Sequence, residues 1–300
     1  MKALPKVLKE EYPFRGRFLD VGQGNRIHYV DEGEGDAVLM LHGNPTWSFY
    51  YRNLIKNLRS TFRCIAIDHM GCGLSDKPQN YPYRLANHIY NAQKVAEHLK
   101  LGRFHLVMHD WGCAIGMALA ERWPERIESL VIMNGAAFHS SQIPKRIAFG
   151  KVPLLGTALI RGLNAFVWCS NFMASARGLK SKAALGYKFP YNSWKNRIAI
   201  DRFVKDIPLV PNHPSWDTLA KIENGLFLLS QKKILLLWGE VDFCFTESFL
   251  REWRQFFPKA KGIIYEDCGH YVLEDAGDEA VAEIRQFIVH AKKPDVVLYP

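Results

Sequence analysis

Three hundred residues and 34.4 kDa suffice for one large domain or two ordinary ones. An apolar fraction of 48% beside 23% charged residues excludes a disordered chain, a collagen and a coiled coil, and no uncharged apolar run approaches the roughly 18 residues that span a bilayer. The net charge of +9 is uneven: residues 136–215 hold 12 Lys and Arg against 2 Asp and Glu, a balance of +10 that leaves the remainder at −1.

The opening stretch, MKALPKVLKEEYPF, carries charges where a secretory leader needs an apolar core, so a cytoplasmic protein is expected. Cys64, Cys72, Cys113, Cys169, Cys244 and Cys268 include no C-x-x-C pair, and no His pair sits at metal-ligand spacing. They read as small buried hydrophobes rather than as a disulfide framework or a metal site.

Taken in chain order, the first 135 residues alternate between two periods. Apolar runs at Arg26–Val30, Val38–Leu41, Arg63–Ile67, Phe104–Met108 and Ile127–Met133 read as strands. Leu85, Ile89, Ala92, Val95, Ala96 and Leu99 recur at helical spacing, as do Ile115, Leu119 and the alanines beside them. After Trp216 the alternation resumes, with a helix through Leu229, a strand Ile234–Trp238, a helix Glu247–Phe256, a strand Gly262–Tyr265 and a helix Ala276–Ala291. Strands alternating with helices mean a mostly parallel, doubly wound sheet covered on both faces. Residues 136–215 break the rhythm and read as an insertion, which divides the core into 1–135 and 216–300.

In open parallel sheets, ligands bind outside the carboxyl ends of the strands, so the residues just beyond each strand matter most. His42-Gly43-Asn44-Pro45-Thr46-Trp47 comes after the second run. Its backbone N–H groups and the Asn44 amide are candidate donors, although a plain strand–helix loop explains the turn equally well. Gly71-x-Gly73 comes after the third run, but Asp76 stands where a dinucleotide fingerprint needs its third glycine, so nucleotide binding is rejected. The fourth run leads into His109-Asp110-Trp111-Gly112 and a helix rich in small residues. This is the strand–turn–helix of a nucleophile elbow, with Asp110 where Ser is usual. An N-cap aspartate is the plainer alternative. The last two strands lead into Gly239-Glu240-Val241-Asp242 and into Cys268-Gly269-His270. The order Asp110, Asp242, His270 is that of nucleophile, acid and histidine in α/β-hydrolases.

At these residues the chain resembles the α/β-hydrolase superfamily, and within it the haloalkane dehalogenases. The motifs are HGNPTW (42–47), DHMGCGLSDKP (68–78), HDWG (109–112), WGEVD (238–242) and DCGHYVLED (267–275). By position, the resemblance makes Asp110 a nucleophile that attacks carbon, Asp242 and His270 the rest of a triad, and Asn44 with Trp111 a clamp for the leaving anion. Some dehalogenases carry the acid one strand earlier; Asn134 stands there, which favours Asp242. Met108 is larger than the residue elbows prefer at its position. A finer resemblance, in LGTALIRGLNAF (155–166) and YKFPYNSWKNRIAIDRFVKDIPL (187–209), is to β-lactone decarboxylases of bacterial long-chain olefin biosynthesis.

That resemblance implies an α/β-hydrolase fold with an inserted helical cap over 136–215 and conversion of a cis-3,4-dialkyl-oxetan-2-one to a cis-alkene and carbon dioxide, with no cofactor and no metal. Haloalkane dehalogenation and epoxide hydrolysis are the alternatives, the latter needing two acidic donors such as Tyr187 and Tyr191. The charge-free stretch Gly162–Ala176 and the side chains of Leu154, Leu155, Leu159, Leu163, Phe166, Val167 and Phe172 suit a tunnel for long alkyl chains, or else a helix buried on the core. The basic insertion is compatible with anionic lipid, an acidic partner or plain solvent, and the resemblance adds an assembly with other olefin-biosynthesis enzymes. No motif that reads nucleic acid is present.

Overall fold

The computed structural model describes residues 4–142 and 144–291. In chain order its regular elements begin with helix α1 (Lys6–Glu11), strands β1 (Gly16–Asp20), β2 (Arg26–Glu32) and β3 (Ala37–Leu41), and helix α2 (Arg52–Leu58). Then come β4 (Arg63–Ile67), α3 (Leu85–His98), β5 (Phe104–His109), α4 (Trp111–Arg122) and β6 (Ile127–Met133). The insertion supplies α5 (Lys145–Gly150), α6 (Leu155–Thr157) with a π turn over Ala158–Gly162, α7 (Ala165–Met173), α8 (Ser181–Lys188) and α9 (Ile198–Lys205). The chain then returns through α10 (Trp216–Gly225), β7 (Lys233–Gly239), α11 (Glu247–Phe256), β8 (Lys261–Tyr265), α12 (Val272–Asp275) and α13 (Gly277–Ala291).

The eight strands form one sheet in the order β1-β2-β4-β3-β5-β6-β7-β8. From β4 to β8 all neighbours are parallel; β1 and β2 pair antiparallel to each other, and β2 is antiparallel to β4. The central strands are apolar on both sides because both sides are covered. Leu39, Leu41, Ile65, Leu106, Ile132 and Leu236 enter the core beneath α3, α4, α10 and α11. The alternate residues Val38, Met40, Ala66, Val107, Val131 and Leu235 enter the opposite core beneath α2 and α13. This period of two along the central strands is the packing origin of the doubly wound architecture.

Strand β1 is absent from the sequence-based expectation. GRFLD is an edge strand, exposed at nearly every position, so no apolar run marks it. The insertion contributes no strand among its described residues and has a small cluster of its own: Ile160, Val167, Tyr191, Ile200 and Val204. It is tied to the rest by Asp206, which accepts from Arg84 (2.9 Å) and the Leu85 N–H (2.7 Å), and by the Trp47 indole donating to Gly186 O at 3.1 Å.

Candidate active site

Asp110 joins β5 to α4 at φ 53°, ψ −125°, a left-handed backbone that few side chains adopt and that a sharp elbow requires. Its N–H donates to Asn134 O at 3.2 Å, and its carbonyl accepts from Cys113 N at 3.0 Å. The bulk of Met108 is accommodated one layer away. A Cβ on Gly116, in the second turn of α4, would fall 2.3 Å from Met108 Sδ, so the missing side chain makes the room.

The Asp110 carboxylate is buried and asymmetrically held. Its Oδ1 accepts the Asn44 N–H at 2.8 Å, and the Trp111 N–H also bonds the group. A Cβ on Gly43 would lie 1.9 Å from that same Oδ1, so only glycine leaves it room. Oδ2 lies 3.7 Å from Nε2 of His270. Burial raises the carboxyl above its usual 3.8; the charge of His270 and the two N–H donors oppose this without cancelling it.

His270 follows β8, and its Nδ1 lies 2.8 Å from Asp242 Oδ2. A carboxylate only accepts, so Nδ1 carries a proton toward Asp242, and Nε2 faces Asp110. Burial lowers the imidazole, but the Asp242 carboxylate, followed by Asp110, outweighs it and raises the group above 6.5. Asp242, after β7, is fixed by two further donors: Asn134 Nδ2 to Oδ2 at 3.0 Å and Cys244 N to Oδ1 at 2.6 Å.

Asp110, Asp242 and His270 are therefore brought together from the ends of β5, β7 and β8. Asn44 and Trp111 join them on the wall of one cavity of about 360 Å³. The Asn44 side-chain amide donates to Ile200 O at 3.3 Å, and its buried Oδ1 has no partner among the described residues. The Trp111 indole packs 5.4 Å from the Phe203 ring, and its N–H donates to no protein group among the described residues.

The cavity runs up into the insertion between apolar side chains including Phe138, Ile147, Leu159, Phe166, Val204 and Phe249. Of the seven side chains expected to line it, Leu159 and Phe166 do so. Val167 lies in the cluster within the insertion, and Leu154, Leu155, Leu163 and Phe172 face outward. Tyr187 and Tyr191 also differ from expectation. Both are fully buried outside the cavity, where Tyr187 donates to Glu274 at 2.5 Å and Tyr191 to Thr46 O at 3.1 Å, so neither presents a hydroxyl to an epoxide beside Asp110.

Three supporting residues escape a reading of the motifs alone. Asn134 bridges β6 to β7, accepting from Gly239 N at 2.9 Å and donating to Gly239 O at 3.0 Å besides its bond to Asp242. His109 donates from Nε2 to His270 O at 2.9 Å. His42 donates from Nδ1 to Gly43 O at 2.7 Å and accepts the His69 N–H on Nε2 at 3.0 Å, and burial keeps it neutral by pushing it down to about 4. His42 and His109 lie inside motifs beside more conspicuous residues, and Asn134 follows β6 outside every motif; only the bonding partners distinguish them.

The model of a family described as the alpha/beta hydrolase fold matches residues 36–277. The chain belongs to the α/β-hydrolase fold family. This α/β-hydrolase is 43% identical over 287 residues to a protein of Shewanella oneidensis named cis-3-alkyl-4-alkyloxetan-2-one decarboxylase, covering 93% of this chain and 90% of the relative. A protein of the same name from Xanthomonas campestris pv. campestris is 37% identical, covering 92% and 97%. The crystal structure of a haloalkane dehalogenase from Bradyrhizobium elkani superposes with a TM-score of 0.82 at 25% identity, covering 93% of this chain and 99% of that one.

Proposed function

We propose that this α/β-hydrolase decarboxylates cis-3-alkyl-4-alkyl-oxetan-2-ones to cis-alkenes and carbon dioxide, with Asp110 as nucleophile, Asp242 and His270 as its charge partners, and Asn44 with Trp111 as the clamp for the departing carboxylate. One observation carries the reading: a buried carboxylate with one oxygen pinned by backbone N–H groups and the other facing His270, at the floor of an apolar cavity. The 43% and 37% identities to proteins named for that reaction support it.

The geometry supports the following chemistry. Burial strips water from Asp110 and makes a modest nucleophile stronger. Its free oxygen attacks the alkyl carbon that bears the ring oxygen, the strained C–O bond breaks, and the released carboxylate takes the electron pair. The ring constrains the new Asp110–carbon bond to lie anti to the carboxylate. Loss of carbon dioxide then sends the C–C electrons into the alkene and expels Asp110 as the carboxylate it was. Inversion and then anti departure keep both alkyl groups on one side, so a cis-lactone gives a cis-alkene. No water enters the balance. His270, held by Asp242, then serves to compensate the charge that leaves and returns to Asp110 rather than to activate water.

On the same reading, residues 1–135 and 216–300 form the catalytic core and 136–215 a helical cap whose interior takes the alkyl chains. No helix among the described residues is long and apolar enough to cross a membrane. The six free cysteines suit a cytoplasmic enzyme, in an assembly with the enzymes that make its lactone, with the basic cap turned to a membrane surface.

The deciding assay offers the purified protein a long-chain cis-β-lactone and a 1-bromoalkane. Alkene without bromide release is the expected result; bromide without alkene identifies a dehalogenase. Asp110→Ala abolishes whichever activity is present. Trapping the intermediate on a His270 variant locates the attacked carbon: an alkyl ester is expected, and an acyl linkage to Asp110 overturns the alkyl route.

A further inference from the structure

The cap presents apolar side chains to the outside as well as to the cavity. Seven of the sixteen exposed large apolar residues among the described residues lie between Phe149 and Phe172. Single exposed apolar residues are ordinary; a concentration within 24 residues of chain is not. Leu154 is 87% exposed, Leu163 73% and Phe172 69%. Leu154 is held at φ 61°, ψ −55°, a backbone that costs a bulky residue energy. On α7 the two faces part: Phe166, Cys169 and Met173 line the cavity, whereas Trp168 and Phe172, with ring centroids 5.5 Å apart, face out. Phe149 and Cys169 belong to both sets, each exposed and each lining the cavity, so the mouth opens at the edge of this surface.

Charge selects what covers it. No Asp or Glu occurs between Glu128 and Asp201, a stretch that holds ten Lys and Arg. Arg161 and Arg197 are spent on carbonyls within the cap, and Lys182 faces Glu10 and Glu11 at 3.6 and 3.9 Å. Lys180 is exposed, and Lys188 holds its ammonium 4.0 Å from the centroid of the Trp168 ring, on the apolar surface itself. Arg177 is likewise paired, with Asp267, which leaves Lys180 and Lys188 beside the apolar side chains. Apolar side chains beside lysines with no ion pair among the described residues, on a segment with no carboxylate of its own, match the interface of an anionic bilayer, where the rings enter the headgroup boundary and lysines meet phosphate. A protein partner that buried this face would have to supply acids of its own.

We infer that the outer face of α5–α8 docks on an anionic lipid surface, with the cavity mouth against the bilayer, so that a long-chain substrate passes from lipid to Asp110 without crossing water. The docking itself rests on the cap alone; the passage of substrate rests on the function proposed above.

The test is co-sedimentation with vesicles of phosphatidylcholine, with and without phosphatidylglycerol, at low and high salt. The whole protein is expected to bind the phosphatidylglycerol vesicles, and less at high salt. The pair Leu154→Asp and Phe172→Asp, both exposed and outside the cavity, is expected to weaken binding by about tenfold or more. Phe227→Asp, equally exposed but beyond α10, is expected to bind as the parent does. Failure of the parent to bind, or parent-like binding by the double variant, overturns the inference. So does a dimer that the double variant dissociates while vesicles are ignored, since a second copy then covers the face. Turnover of a short, water-soluble β-lactone is read in parallel: the double variant keeps it. Vesicle binding without any lactone turnover by the parent refutes the proposed reaction and leaves the docking surface standing.

Discussion

The side-chain amide of Asn134 donates to Oδ2 of Asp242 at 3.0 Å, the same oxygen that accepts the hydrogen bond of His270 Nδ1–H at 2.8 Å. Asn134 also closes two bonds with the backbone of Gly239, so one side chain sets both the spacing of β6 and β7 and the aim of the acid. Asn134→Ala leaves buried backbone and carboxylate groups short of partners, at a cost of about 1–3 kcal/mol in stability. Turnover is expected to fall as well, because Asp242 loses one of the groups that orient it. Urea unfolding and steady-state rates measured together check this. A variant as stable and as active as the parent would show that Cys244 N and His270 alone hold the acid.

Asp110 sits in the fold at a cost. Its carboxyl is raised above 3.8, so the folded state resists ionisation that the unfolded chain accepts freely. The penalty is absent well below 3.8 and complete once the pH exceeds the folded value. Asp110→Asn is therefore expected to raise Tm at neutral pH, with the gain shrinking as the pH approaches 4 and below. With Asp110 in its proposed role as nucleophile, the same change should cost at least roughly 10⁴-fold in turnover. Calorimetry across pH 3–8 measures the first effect. An Asn variant less stable than the parent at pH 7 would mean that the pairing of Asp110 with His270 outweighs burial.

Met108 and Gly116 are coupled by contact. Gly116→Ala would normally stabilise a helix by about 1 kcal/mol. Here the new methyl lies 2.3 Å from Met108 Sδ and 2.7 Å from its Cγ, with Leu41 Cδ1 behind at 3.2 Å, so overpacking at about 1–3 kcal/mol wins. In a Met108→Ala background the clash is gone, and the same substitution is expected to stabilise. The double-mutant cycle reads the sign change directly, and additive effects would refute the contact.

How far the sequence reveals this molecule depends on how strongly each residue's surroundings dictate it. The strands from β3 to β7 announce themselves because burial on both faces excludes polar residues. β1 does not, since an exposed edge tolerates any residue. Asp110, Asp242 and His270 are legible through their order and their positions after strands. Asn134 and His109 are not, since each acts through a bond to a residue more than 100 positions away. The cap is the least legible part. Its helices are short and apolar on two sides, so periodicity alone does not tell the cavity face of α7 from its outer face, and Phe166 and Phe172 look alike until the fold separates them.

Trp111 offers the sharpest test of the anion clamp, because it has nothing else to do with its polar atom. The indole N–H meets no protein acceptor among the described residues, whereas the ring packs on Phe203 and the cavity wall. Trp111→Phe keeps the ring contact and deletes only the donor, so stability should be unchanged. A donor that strengthens as the carboxylate leaves contributes to the transition state more than to binding. The expected result is a fall in kcat of about 10²-fold with little change in KM, the size seen when one donor to a developing anion is removed. A rise in KM at constant kcat would assign Trp111 to substrate binding instead. Unchanged kinetics would remove it from the clamp and leave the departing carboxylate to the backbone N–H groups around Asn44.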